Sequence, residues 1–226
     1  MKDLLNTSQR HSALIRVTHW INAAAFIALL MSGIAILLAY PRLHWGETGS
    51  IHTEAWLDLP LPFVLELGIR GPGRSIHFFA AWVVLFNGIV YLLSGLLTRH
   101  FTKNLVPALS ELKPASLARA LAHPHPSADT AEHYNLIQRL VYLVVIFGLI
   151  PFMFLTGLAM SPSVTSVVPF IVEMFGGHQS ARTLHFFAAN ALLIFFLVHL
   201  TMVVLTGFGR QVRAMITGYR TSQASK

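Results

Sequence analysis

Four apolar stretches, Trp20–Tyr40, Ile76–Thr98, Leu136–Met160 and Leu184–Phe208, leave this chain few folds to choose from. Each exceeds the roughly 20 residues that a helix needs to cross the hydrocarbon of a bilayer. With 54% hydrophobic and 11% charged residues, the 226-residue chain lies outside the range of ordinary soluble domains. The expected fold is an all-α integral membrane protein. It is a four-transmembrane-helix bundle with helices at about 16–40, 75–98, 136–160 and 182–208, and residues 1–226 form a single domain. The first apolar run is read as a span rather than a cleavable signal, because its core is too long and no small-residue cleavage pattern follows.

A formal charge of +7 raises the possibility of nucleic acid or acidic lipid as a partner. The distribution of that charge decides between them. If the amino terminus is cytoplasmic and four helices alternate, twelve of the sixteen lysines and arginines fall on the cytoplasmic side. The other four, Arg42, Arg70, Arg74 and Arg182, fall outside. This positive-inside bias predicts a multi-pass membrane protein with both termini cytoplasmic. Topology accounts for the basic excess, so membrane lipid is the expected surroundings and no nucleic acid is expected.

The chain has twelve histidines and no cysteine. Disulfides, thiolate zinc sites, cysteine-ligated iron–sulfur clusters and covalent c-type haem are excluded. Any haem must be held by axial ligation and packing. Four histidines fall within the apolar spans, where an ionisable side chain is costly and functional by default. His185 and His199 are fourteen residues apart, so both leave one face of a helix, about 21 Å apart along its axis. His19 stands near the start of the first span and His77 near the start of the second. With alternating helix directions, His19 matches His199 in depth, and His77 matches His185. A six-coordinate haem iron takes such a pair of imidazoles, one from each of two facing helices. The prediction is two non-covalent b-type haems. Zinc or copper is disfavoured, since two distant pairs without a nearby carboxylate or cysteine complete neither metal's usual geometry.

The spans also repeat. Arg74-Ser-Ile-His77-Phe-Phe-Ala-Ala recurs as Arg182-Thr-Leu-His185-Phe-Phe-Ala-Ala, and Met31-Ser-Gly-Ile-Ala is echoed by Leu155-Thr-Gly-Leu-Ala. Two repeated helix hairpins follow from this. The repeat is uneven, with Leu143 where the first hairpin has His19, and Tyr91 where the second has His199. Arg16, Arg74 and Arg182 each precede a span histidine by three residues. Each guanidinium is placed either to pair with haem propionates or to anchor at the interface. Gly33, fourteen residues after His19, would let a bulky group approach the backbone or serve ordinary helix packing. His44, Glu47, His52 and Glu54 in the loop 41–74, and His123 and His125 in the loop 99–135, read as solvated. Pro114 is placed to open a short helix running to Ala122. The residues after Phe208 read as a polar, basic cytoplasmic end.

These residues resemble the b-type cytochrome subunits of bacterial nickel–iron hydrogenases, formate dehydrogenases and thiosulfate reductases, within the bacterial di-haem cytochrome b superfamily. The resemblance covers the four helices. It rests on Arg16-x-x-His19-Trp20 with the later Ser32-Gly33, on His77, and on the His185 and His199 pair. It implies the same pairing, His19 with His199 and His77 with His185. The stretch Arg42-Leu-His-Trp-Gly-Glu-Thr-Gly49 looks most like subunits that accompany molybdopterin oxidoreductases. The family implies an electron relay between an extracytoplasmic redox enzyme, of molybdopterin oxidoreductase or hydrogenase type, and membrane quinone. For the quinone, Asn22, Asn135, Gln138 and Tyr142 are the candidate residues, and no residue of the chain is assigned a catalytic role of its own. A self-sufficient quinol or superoxide oxidoreductase, and a haem-free transporter, are the competing readings.

Overall fold

The computed structural model describes residues 12–50, 52–59, 70–99, 101, 105–122 and 136–218. In chain order its elements are α1 (Ala13–Ala39), the two-residue strands β1 (Arg42–Leu43) and β2 (Leu57–Asp58), α2 (Arg70–Leu97), α3 (Pro114–Ala122), α4 (Leu136–Ala159), α5 (Pro162–Thr165), α6 (Phe170–Met174), α7 (His178–Leu205) and α8 (Phe208–Thr217). Among the described residues, α1, α2, α4 and α7 are long and apolar enough to cross a membrane.

Local chemistry sets the helix ends. Ser12 caps α1, its hydroxyl accepting from the Ile15 N–H at 3.4 Å. Pro41 disfavours helical geometry at Tyr40, which sits at φ −151° and ψ 86°, and α1 stops there. α3 covers the span expected from Pro114. Within α4, residues 145–149 form a π turn in which the Ile150 N–H reaches the Val145 carbonyl. The turn lies just before Pro151, whose ring lacks an N–H and crowds the preceding turn, and one wider turn accommodates it.

The fourth span differs from expectation. It ends at Leu205, not Phe208, because Gly207 adopts a left-handed conformation at φ 101°. The residues beyond, read as a polar end, form the amphipathic helix α8. Gly218 closes α8 with its N–H on the Ala214 carbonyl at 2.8 Å.

Burial runs opposite to that of a soluble domain. Ala25, Ala80, Ala159, Ala181 and Ala188 are buried together with Thr18, Ser32, Asn87, Thr156 and Thr183. Large side chains such as Phe79, Phe86, Ile194 and Val198 are exposed. Lipid tails solvate large apolar groups as well as a core does, so small residues take the helix contacts.

The chain divides into two compact units, drawn from Met1–Pro41, Leu59–Leu92 and Leu193–Lys226, and from Arg42–Asp58 and Leu93–Leu192. In the first, Phe26 packs on Phe196 with ring centroids 5.0 Å apart, and Asn87 Nδ2 donates to the Thr18 carbonyl at 2.8 Å. The end of α8 is tied to α1, Trp20 Nε1 donating to the Met215 carbonyl at 3.2 Å and the Arg16 guanidinium to that of Ile216.

In the second unit β1 pairs with β2, Arg42 opposite Asp58 with an ion pair of 2.9 Å. The residues between the strands fold over the start of α7. The Gly46 carbonyl accepts from the N–H groups of Gln179 and Ser180, and Glu47 accepts from that of His178 at 3.0 Å. A helix N-terminus leaves such donors free and favours a carboxylate, so this loop completes α7. His44, expected to be solvated, is 4% exposed. Its carbonyl accepts from Thr183 Oγ1 at 2.7 Å, and Gly49 packs against its ring. Elsewhere in this unit Arg139 bonds the Glu111 carboxylate at 3.0 Å and holds its carboxyl below the ordinary glutamate value.

Gly177 joins this loop to α7 at φ 111°, and a Cβ there would collide with the backbone of Gly46 and Glu47. Gly177→Ala is expected to cost about 1–3 kcal/mol through backbone strain. It should lower the melting temperature of the purified protein and speed proteolysis within 42–58. An unchanged melt and cleavage rate would show that the loop does not depend on this contact.

Candidate cofactor site

The four span histidines are half-buried, and helix register explains where each sits. On α1, Arg16, His19 and Asn22 follow one another at single-turn spacing. The His19 ring meets Trp20 edge-on at 5.3 Å and faces the His199 ring, with centroids 6.4 Å apart and planes at 52°. Phe195, one turn before His199 on α7, stacks on the His199 ring at 6.2 Å. Two imidazoles bound to one metal at the roughly 2 Å of a first-row metal–nitrogen bond have centroids about 6 Å apart. The spacing of His19 and His199 accommodates one iron between them.

Polar atoms near His19 fit the same group. Among the described residues, four buried side-chain nitrogen or oxygen atoms lack a hydrogen-bond partner: Arg16 Nε, His19 Nδ1, Asn22 Oδ1 and Gln179 Oε1. Three of the four lie on successive turns of α1. Buried polar groups are almost always satisfied, so such a cluster calls for a ligand or ordered water. A haem brings an iron for imidazole and carboxylates for guanidinium, and leaves the Asn22 oxygen to a separate donor such as a hydroxyl or water. No group of three or more histidine, cysteine, aspartate or glutamate side chains converges among the described residues, unlike a zinc chelate.

His77 and His185 sit in near-identical surroundings, one in each unit. Ser32 Oγ lies 3.0 Å from His77 Nδ1, and Thr156 Oγ1 lies 3.0 Å from His185 Nδ1. Gly33 and Gly157 follow these hydroxyls. A Cβ on either would lie 3.5 Å from the Cε1 atom of the facing ring, His77 or His185 respectively. Any longer side chain would press on that ring. Ala80 and Ala188, one turn beyond the two histidines, are both buried. Gly33 thus stands against the ring of a ligand candidate on the neighbouring helix.

The remaining candidates are placed as follows. Arg16 donates to the Ile216 carbonyl while its Nε stays unpaired. Arg74 is exposed on the second turn of α2. Arg182 Nη1 donates to the Arg42 carbonyl at 2.7 Å, so it also ties down the loop before β2. Gln138 and Tyr142 are half-buried one turn apart on α4, with interactions of their own. Asn135 lies outside the described residues.

The sequence marks Ser32 only as part of the Ser32-Gly33 resemblance and assigns no role to Ser32, Thr156 or Asn87. For the two hydroxyls the signal lay in the repeat itself, whose echo keeps a hydroxyl before each glycine. For Asn87 it was an amide inside an apolar span.

Four helices long and apolar enough to cross a membrane and the facing rings of His19 and His199, in a chain without cysteine, suit a b-type membrane cytochrome. The chain belongs to the prokaryotic cytochrome b561 family, which it matches over residues 10–218. It is 32% identical to a protein of Azospira oryzae provisionally named protein-methionine-sulfoxide reductase subunit YedZ1, over 92% of this chain and 96% of that one. It is 23% identical to a protein of Cupriavidus necator provisionally named a Ni/Fe-hydrogenase B-type cytochrome subunit, over 93% of this chain and 86% of that one. No solved structure matches it. Membership makes the protein a multi-pass membrane electron-transfer cytochrome with b-type haem.

The bond from Asn87 to the Thr18 carbonyl is buried and holds α2 to α1 one residue before His19. Asn87→Ala should lower stability by about 1 kcal/mol, the net contribution of one intramolecular hydrogen bond. Thermal unfolding in detergent reads this, and a melting temperature equal to wild type would remove Asn87 from the support of the site.

Proposed function

We propose that the protein is a di-haem subunit that relays electrons between a redox enzyme outside the cytoplasm and the membrane quinone pool. The observation that carries the reading is the His19–His199 pair, spaced for one iron in a chain of a b-type cytochrome family. A bound haem would supply a one-electron carrier. His19 and His199 hold one haem. His77 and His185 hold the other, a pairing supported by their matched depth in the sequence and their matched surroundings in the repeat.

Arg16, with its unpaired Nε, binds a propionate, and Arg74 and Arg182 are placed by sequence for the same task. Asn22, whose Oδ1 is unpaired one turn after His19, accepts from a hydroxyl of the reduced quinone. Asn135, Gln138 and Tyr142 remain candidates for that pocket on sequence grounds alone. The distribution of lysine and arginine supports an inner-membrane protein with both termini cytoplasmic. The partner is an oxidoreductase. The names of the two relatives point to a methionine-sulfoxide reductase or a hydrogenase, and the greater likeness to the first favours a reductase supplied by quinol.

A reduced-minus-oxidised spectrum with haem quantified per polypeptide tests this directly. Two non-covalent haems per chain are expected. His185→Ala should remove one haem and leave the other near wild-type occupancy. Equal loss of both haems in that variant, or a single haem in the wild type, would overturn the assignment of two separate ligand pairs.

A further inference from the structure

The hydroxyls of Ser32 and Thr156 do more than touch a ring. Ser32 Oγ donates to the Ala28 carbonyl at 2.6 Å, and Thr156 Oγ1 to the Phe152 carbonyl at 2.9 Å. A hydroxyl has one proton to give and two lone pairs to offer. With the proton committed to its own helix, each oxygen meets the histidine only as an acceptor. The Nδ1 atom 3.0 Å away must then carry the ring proton. Each neutral ring is left with one lone pair, on Nε2. Ser32 is 5% exposed and Thr156 0%, so solvent does not compete for these contacts.

The arrangement occurs twice, on different helix pairs, with a glycine after each hydroxyl that leaves the ring edge clear. His19 differs, because its buried Nδ1 has no protein partner. Threonine and serine often bond back to their own helix, and cross-helix hydrogen bonds also hold membrane helices together. Simple helix adhesion would not require that the bonded ring nitrogen be Nδ1 in both copies.

We propose that Ser32 and Thr156 are positioning residues that lock His77 and His185 in the Nδ1–H tautomer, presenting Nε2 to iron and making each imidazole a more basic ligand. A hydrogen-bond acceptor behind a ligating imidazole raises its basicity, which favours the oxidised metal and lowers the reduction potential. This rests on the di-haem reading, under which the two locked histidines serve one haem and the pair His19 and His199 serves the other.

The test is a redox titration, followed by absorbance, of the intact haem-loaded chain as wild type and as Ser32→Ala, Ser32→Cys, Ser32→Thr, Thr156→Val and Thr156→Ser. The Ala, Cys and Val variants should each raise the potential of one haem and leave the other unmoved. The expected size is about threefold in the reduced-to-oxidised ratio at fixed poise, or about 28 mV at 59 mV per tenfold for one electron. Ser32→Thr and Thr156→Ser keep the acceptor and should titrate as wild type. Cysteine keeps the shape of serine with a weak acceptor, and valine keeps that of threonine with none. Loss of haem from these shape-preserving variants, but not from Ser32→Thr or Thr156→Ser, would also support the lock.

Full haem occupancy with unmoved potentials in the Cys and Val variants would overturn it. So would equal haem loss from the variants that keep the hydroxyl. If Ser32 and Thr156 variants move different haems, the pairing of His77 with His185 fails while the lock stands. If the wild type holds no haem, the di-haem reading itself fails.

Discussion

At membrane depth there is no water to satisfy a polar atom, and the helix contacts of this protein follow from that scarcity. Thr18, Ser32, Thr156, Thr201 and Thr206 all turn their hydroxyl protons onto carbonyls of their own helix. Asn190 does the same with its amide. Asn87 alone among these amides reaches a neighbouring helix, and it does so at the residue before His19. Against this background of spent donors, the unpaired atoms of Arg16, His19 and Asn22 are conspicuous. They mark the place on α1 where protein groups do not complete one another and a bound group would.

The repeated hairpin explains how histidine surroundings of the same kind arise twice. Helices packed through small residues approach closely, and each alanine, serine or threonine at the contact sets a distance as well as a hydrogen bond. Ser32-Gly33 against His77 and Thr156-Gly157 against His185 are the same solution with one methyl group of difference. The rest of the repeat has diverged. Where the first copy has His19 and Asn87, the second has Leu143 and Phe195, and Tyr91 stands where the second has His199. One histidine environment is therefore duplicated, while the pair of His19 and His199 is single. Two carriers built on these residues would differ in ligand basicity and in access to polar partners.

The loop from Arg42 to Asp58 shows how an element outside the spans can be fixed by a helix end. The free N–H groups at the start of α7 are met by the Gly46 carbonyl, the Ser180 hydroxyl returns a bond to the Gly46 N–H, and Glu47 supplies the negative charge. Trp56, which packs edge-on against Trp45 and Phe187, adds an aromatic layer beside them. Arg182 joins this construction through the Arg42 carbonyl. A residue three positions before a ligand candidate thus also holds the loop, so its substitution would disturb both.

Helix length and hydropathy are local properties, so the four spans and the helix opened by Pro114 were legible in the sequence. Histidine spacing within α7 was legible for the same reason, since helical rise and rotation depend on residue number alone. The π turn before Pro151 and the break at Gly207 had local signals whose weight depended on context. Other features were decided only by tertiary structure: the 6.4 Å spacing of the His19 and His199 rings, the hydroxyls behind His77 and His185, the amide of Asn87 on Thr18, and the burial of His44. Each depends on how far a helix is rotated about its own axis, or on where a loop closes more than a hundred residues away. Sequence marked four histidines as ligand candidates and matched them in pairs by helix direction. Which nitrogen of a ring is held, and by which oxygen, was settled by packing, because a hydrogen bond fails over a shift of less than an ångström that hydrophobicity and period do not register.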